Sequence, residues 1–212
     1  MPRLLIALII ALVLPQQTTL LQPERPEFTR RAPDVSEIRL ETTKGTLRLE
    51  MRREWSPLGV DRFYNLARHG YYDDIAIFRI RAATWAQFGI HGDPAVAQAW
   101  RHRTIKDEPR VLSNVRGTLA YAFKDPNGRA TQVFLNLRDN SGGHDREPFV
   151  PFARVIEGME VADRWYAEYG ERAGGGIRAG KQDPVFLGGN AFFRREFPQL
   201  DFIVRTTITA GK

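Results

Sequence analysis

Short apolar segments that alternate with polar residues, each closed by a turn signal, recur along the chain and constrain its fold more than any other feature. Ile38 and Leu40 alternate with charged neighbours, Lys44-Gly45 supplies a turn, and Leu47, Leu49 and Met51 resume the alternation. A side-chain period of two with one apolar set marks a half-buried strand, so structure is expected from Glu37 as a β-hairpin with one face in a core. Thr118–Phe123 reads as a strand, broken by the turn residues Lys124-Asp125-Pro126-Asn127-Gly128. Thr131–Leu137 follows, with Val133, Leu135 and Leu137 on one face and Gln132, Phe134 and Asn136 on the other. Phe134 is therefore an apolar residue on a polar face, equally suited to covering a barrel end or to lining a pocket. Phe149–Ile156 and Asp201–Ile208 complete the strand set.

Two helices are expected. Ser56-Pro57 is a helix start, after which Val60, Phe63, Leu66 and Ala67 share a face up to Gly70. A second follows Glu157-Gly158-Met159 and buries Val161, Trp165 and Tyr169. Residues 95–109 read as a mixed, partly helical excursion around Trp100, and the seven glycines of residues 170–189 read as a loop. Many short strands with few helices point to a β-barrel or sandwich with helices over its open ends.

With 212 residues there is room for one ordinary domain and tails. The uninterrupted apolar run Leu4–Leu14 after Arg3 matches an export signal. As a helix it spans about 16 Å, against roughly 30 Å for a hydrocarbon core. The chain thus divides into a signal peptide over 1–20, a polar linker over 21–36 carrying Pro23, Pro26 and Pro33, and a domain over 37–208, with no membrane span once the signal is removed. The net charge of +6 favours anionic surroundings, but no run of five basic residues and no nucleic-acid-binding signature accompanies it, so nucleic acid is not an expected partner. Absence of cysteine removes disulfides, thiolate metal sites and thiol nucleophiles together. The four histidines lack an i,i+4 pair, so His91-Gly92-Asp93 and His144-Asp145 read as loop residues, and neither metal nor cofactor is expected. Asp107-Glu108 reads as a solvated acidic pair.

The stretch Phe78–Pro94 places Arg79 and Gln87 eight residues apart inside an otherwise apolar run, able to face the same way if the segment stays extended or only bends. The order Phe78-Arg79-Ile80, Gln87, Gly117, Ala122, Pro126-Asn127, Gln132-Val133-Phe134, Phe152, Glu157-Gly158-Met159 resembles the cyclophilins, the cyclosporin-type peptidyl-prolyl cis-trans isomerases, over about residues 37 to 208. The resemblance implies a closed eight-stranded antiparallel β-barrel capped by two α-helices. It implies an enzyme that binds X-Pro segments of unfolded or folding polypeptides and, by analogy with exported members, works in the periplasm. Arg79 matches the arginine that donates to the prolyl nitrogen, and Gln87 the glutamine that orients it and contacts a substrate carbonyl. Phe134 matches the aromatic floor of the proline pocket and Gln132 a residue near its rim, while Ala122 and Phe123 would pair with the peptide backbone.

The pattern also departs from the family. Ala82-Ala83-Thr84 stands where many members have Pro-Gly-Phe, so Thr84 and the following Trp85 take the place of the pocket-wall phenylalanine. Phe123 stands for a usual asparagine and Phe149 for a frequent histidine, and His144 is the nearest counterpart of a tryptophan or leucine in the 141–145 loop. These departures speak against cyclosporin binding. They leave open a weak or inactive proline-peptide binding or scaffold module as the alternative to an isomerase.

Overall fold

A computed structural model describes residues 18–175 and 181–211; the apolar run Leu4–Leu14 and nearly all of the expected signal lie outside the described residues. The alternating hairpin forms as the pattern demands. Strand β1 (Val35–Thr42) pairs with β2 (Gly45–Arg52), and Ile38, Leu40, Leu47, Leu49 and Met51 all point into the core. The strand begins two residues earlier than Glu37, because Val35 is already opposite Arg52 in the ladder.

After helix α1 (Pro57–Arg68) the chain enters β3 (Ile75–Ala76), β4 (Arg79–Arg81) and β5 (Trp85–Phe88), then a short helix α2 (Pro94–Trp100). Strands β6 (Thr118–Tyr121) and β7 (Val133–Asn136) form the next hairpin. A single-turn helix α3 (Ser141–His144), β8 (Pro151–Glu157), a second single turn α4 (Met159–Ala162), helix α5 (Asp183–Glu196) and β9 (Phe202–Gly211) complete the described chain.

The sheet is mostly antiparallel β in the order β3-β9-β1-β2-β8-β6-β7-β5-β4. It corrects the expected closed eight-stranded barrel: among the described residues there are nine strands, and no ladder joins the first to the last. The two end strands are separated in sequence by Ile77 and Phe78 alone, so the sheet curls until both edges arrive at one stretch of chain. Ile77 donates its N–H to Asp201 and Phe78 donates to Gln87, which marks the point where that stretch exchanges β9 for β5 as its partner.

Two further expectations change. The helix after Met159 is a single turn, although Val161 and Trp165 are buried as expected. The longer helix is α5, which begins within the region 170–189 expected as a loop and continues to Glu196. Its glycines do not prevent it, because Gly189 (φ 51°, ψ −143°) leaves helical geometry and divides it into two pieces. A Cβ on Gly189 would lie 2.1 Å from the Gly92 carbonyl oxygen, so a bare backbone is required for that approach.

The expected linker is not free chain. Leu20, Phe28 and Ala32 are buried, Phe28 packs edge-on to Trp100 at 4.8 Å, and Trp100 Nε1 donates to the Leu20 carbonyl at 2.8 Å. Asp61 accepts from Ala32 N–H at 2.8 Å, and Asn65 Nδ2 donates to the Arg30 carbonyl at 2.7 Å, so α1 anchors the segment along its length. Glu108, expected to be solvated, has a side chain only 7% exposed: it accepts from the Leu58 and Gly59 N–H groups at 2.6 and 3.2 Å, capping α1, and pairs with the fully buried Arg129 at 3.1 Å.

The apolar residues form two clusters. One fills the barrel and includes Ile80, Ala86, Leu119 and Leu135; the other joins Phe78, Ile90 and Ala97 to Ala173, Val185, Phe186 and Phe193 beneath α5.

Candidate active site

Arg79 and Gln87 do not meet along one extended strand. Ala82–Thr84 turns the chain back, with Ala83 at φ 52°, and β4 and β5 pair so that Arg79 stands directly opposite Gln87. Gln87 in turn is opposite Phe134, and Phe134 opposite Ala120. Residues opposite one another in a ladder share a face. Arg79, Gln87, Phe134 and Ala120 therefore make one row across four strands on the outside of the barrel, while the neighbouring row Ile80, Ala86, Leu135 and Leu119 belongs to the barrel core.

The guanidinium of Arg79 is held on several sides. Nη1 donates to Gln87 Oε1 at 3.0 Å, Nη2 donates to Glu171 Oε2 at 3.0 Å, and Cζ lies 4.8 Å from the centroid of the Trp85 ring. Its Nε is buried with no hydrogen-bond partner. Behind Gln87 runs a row of amides. Gln87 Nε2 donates to Gln132 Oε1 at 2.8 Å, and Gln132 and Gln182 exchange reciprocal amide bonds of 2.9 and 3.1 Å. Because Gln132 Oε1 accepts from both neighbours, Gln87 must turn its NH₂ toward Gln132 and its carbonyl toward Arg79.

Beside this row the site is aromatic. Phe134 meets His144 edge-on at 5.3 Å and Phe149 edge-on at 5.2 Å, and Phe149 packs against Phe123 at 4.7 Å. Burial among these rings lowers the pKa of His144, so the imidazole is held neutral. The cavity has a volume of about 280 Å³ and is lined by Arg79, Trp85, Gln87, Ala122, Phe123, Phe134, His144 and Phe149, all expected from the sequence, together with Arg81, Glu147 and Glu171, which were not. That is the small end of the roughly 300–1,000 Å³ of ligand pockets, a size suited to one ring and its flanking backbone. The Ala122 N–H is committed to the Gln132 carbonyl at 3.0 Å, which leaves the Ala122 carbonyl, and not its N–H, for an incoming strand.

Two expected residues stand elsewhere. Thr84 lines the adjoining cavity with Arg138 and Asn140, its hydroxyl donating to the Ala82 carbonyl of its own turn at 3.2 Å. Gln132 sits behind Gln87 as the second amide of the row, not among the residues that line the cavity. Glu171 and Gln182 escaped sequence reasoning because nothing in their spacing links them to Arg79 or Gln132; both come from the glycine-rich stretch.

The site is thus a clamped arginine beside a small aromatic pocket on a curled antiparallel sheet. The family model for cyclophilin type peptidyl-prolyl cis-trans isomerases matches residues 37–174. The chain belongs to this family. Peptidyl-prolyl cis-trans isomerase A of Dickeya dadantii is 28% identical over 131 residues, covering 60% of this chain and 69% of that protein. Peptidyl-prolyl cis-trans isomerase B of Escherichia coli is 28% identical over 135 residues, covering 60% of this chain and 82% of that protein. The crystal structure of a cyclophilin type peptidyl-prolyl cis-trans isomerase from Cryptosporidium parvum superposes with a TM-score of 0.58 at 19% identity, over 84% of this chain and 99% of that one. The same parasite protein has been crystallised in the presence of the dipeptide Ala-Pro.

Proposed function

We propose that this chain accelerates cis-trans exchange at X-Pro bonds of exported polypeptides, with Arg79 as the donor to the prolyl nitrogen and Phe134 as the floor beneath the ring. Rotation about the amide is opposed by a resonance barrier of about 18–20 kcal/mol, and no bond between heavy atoms is broken. The reaction therefore needs no nucleophile, only a donor aimed at the lone pair that appears on nitrogen as the amide twists, in an apolar setting. Arg79, fixed opposite Gln87 in the same row as Phe134, with Gln87 standing between them, is the single observation that carries this assignment.

In this mechanism the proline ring enters among Phe134, Phe149 and His144, and the flanking backbone runs past Ala122 and Phe123. Gln87 keeps its carbonyl on Arg79 while its amide is held by Gln132. As the amide loses planarity, a guanidinium N–H follows the pyramidalising nitrogen and stabilises the twisted state more than either planar one.

A bond from a charged donor contributes on the order of 1.5–3 kcal/mol, so Arg79→Ala should slow catalysed exchange by one to two orders of magnitude. The check is exchange spectroscopy by NMR on a labelled Ala-Pro peptide with both proteins side by side. Equal exchange rates for the two would remove Arg79 from its assigned role, and binding without added exchange in either would select the proline-peptide binding module.

Export is supported by the run Leu4–Leu14 after Arg3. Because Leu20 is buried against the domain, processing is expected upstream of it. The intact mass of the protein recovered from a periplasmic extract checks both points, and an unprocessed chain confined to the cytoplasm refutes export.

A further inference from the structure

Resting on the isomerase reading above, we infer that Glu171 is a positioning residue for Arg79, with Gln182 fixing the opposite end of the same hold through the amide row. The segment that carries Glu171 is pinned against the catalytic hairpin. Ile80 N–H donates to the Gly170 carbonyl at 3.1 Å, Ala173 is buried in the second apolar cluster, and a Cβ on Gly174 would lie 2.9 Å from Arg79 Cβ. Glu171 is thus delivered to Arg79 by a backbone that lies directly on the arginine's own stem.

The ion pair places a carboxylate on one Nη while Gln87 holds the other, and the Trp85 ring sits against the guanidinium. An arginine side chain turns about several single bonds, and each must be stopped if its N–H groups are to stay aimed at one nitrogen. Trp85 and Gln87 alone leave the outer Nη2 free to swing. Glu171 stops it, and each Nη still keeps a second hydrogen for the substrate. The carboxylate also balances a positive charge whose side chain is only 9% exposed. Gln182 acts one step further away: its reciprocal pair with Gln132 holds that amide in place behind Gln87, whose own direction is set by the guanidinium, because a reversed Gln87 would present NH₂ to its donors.

Misplacement of a reacting group by a small distance lowers turnover more than affinity, so Glu171→Ala is expected to reduce kcat about fivefold with KM changed by less than about twofold. Glu171→Gln, which keeps an acceptor, is expected to retain most of kcat. Gln182→Leu is expected to lower kcat by about twofold. A second readout is independent of activity: the ¹⁵N–¹H signals of the Arg79 Nη groups should show slow rotation in the wild type and averaging in Glu171→Ala. The measurements are exchange spectroscopy on the Ala-Pro peptide over a range of peptide concentrations, and side-chain NMR of the free proteins, with melting curves to confirm folding. An unchanged or raised kcat in Glu171→Ala, an equal loss in the Ala and Gln variants, or Nη signals indifferent to residue 171 would each overturn the inference. Should Glu171→Ala fail to fold, Glu171→Gln and Gln182→Leu carry the test. If the wild type shows no catalysis, the isomerase reading falls, while the Nη signals still decide whether Glu171 positions the arginine.

Discussion

Two regions of different construction converge on Arg79. The β4–β5 hairpin and its neighbours β7 and β6 are ladder structure: every side chain in the row has its direction set by strand register, and the row behind it is locked in the barrel core. Residues 170–175 and helix α5 take no part in the sheet ladders among the described residues. They are held by an apolar cluster of their own, by close glycine approaches and by a few side-chain bonds. The first region supplies the arginine, the glutamine and the pocket floor. The second supplies the contacts that stop the arginine from moving. The difference teaches that a fixed strand register defines where a side chain begins, whereas the aim of a long flexible one depends on partners that the sheet does not provide.

The strongest way to break this comparison is to empty each core in turn. Phe152 lies in the barrel cluster and Phe193 on the buried face of α5, both fully or almost fully buried. Truncating either to alanine should cost about 3–5 kcal/mol. If the two regions are separable, Phe193→Ala leaves hydrogen-exchange protection on β1, β2 and β8 while helix α5 loses its own, whereas Phe152→Ala lowers protection everywhere. Uniform loss in both variants would show a single cooperative unit and dissolve the distinction. The Arg79 and Glu171 substitutions sharpen it next, since the ladder side should govern whether catalysis exists and the other side how well it is aimed.

The smallest expected effect concerns pH. Burial lowers the pKa of His144 from the ordinary imidazole value of 6.5, so the folded pocket favours the neutral ring. Its contribution to stability is therefore complete above about pH 6.5 and is lost as the pH falls from there through the lowered folded value. An NMR titration of His144 should give a midpoint below that of an unstructured histidine peptide. A midpoint at or above the peptide value would show that the ring is not enclosed by Phe134 and Phe149 as described.

Much of the fold was legible because local pattern and tertiary structure agree there. Period-two alternation gave β1, β2 and β7, and the Ser56-Pro57 start with its apolar face gave α1. Arg79, Gln87 and Phe134 were legible as a group through the family resemblance, though their meeting across a tight hairpin was not. The missed features share a cause. Helix α5 was hidden because Gly189 lets the helix break and resume, which composition cannot distinguish from a loop. The supposed linker hid the buried Phe28 and Ala32, and the last residue of the supposed signal, Leu20, is buried too, with no periodic spacing among the three. Glu108 looked like a surface acid because its partners, the α1 N-terminus and Arg129, are remote in sequence.

By itself the sequence determined the antiparallel β architecture, which follows from residue type at short spacing, while the family and eight of the side chains that line the pocket came from the motif order that resembles the cyclophilins. Tertiary structure alone decided that the sheet stays open between β3 and β4, that the N-terminal segment packs on α1 and Trp100, and that Glu171 and Gln182 reach the arginine. Those outcomes depend on contacts between residues 29 to 92 positions apart, from Ala32 with Asp61 to Arg79 with Glu171. Closing such long loops is an entropic cost that only the completed core can offset, so no local pattern announces them.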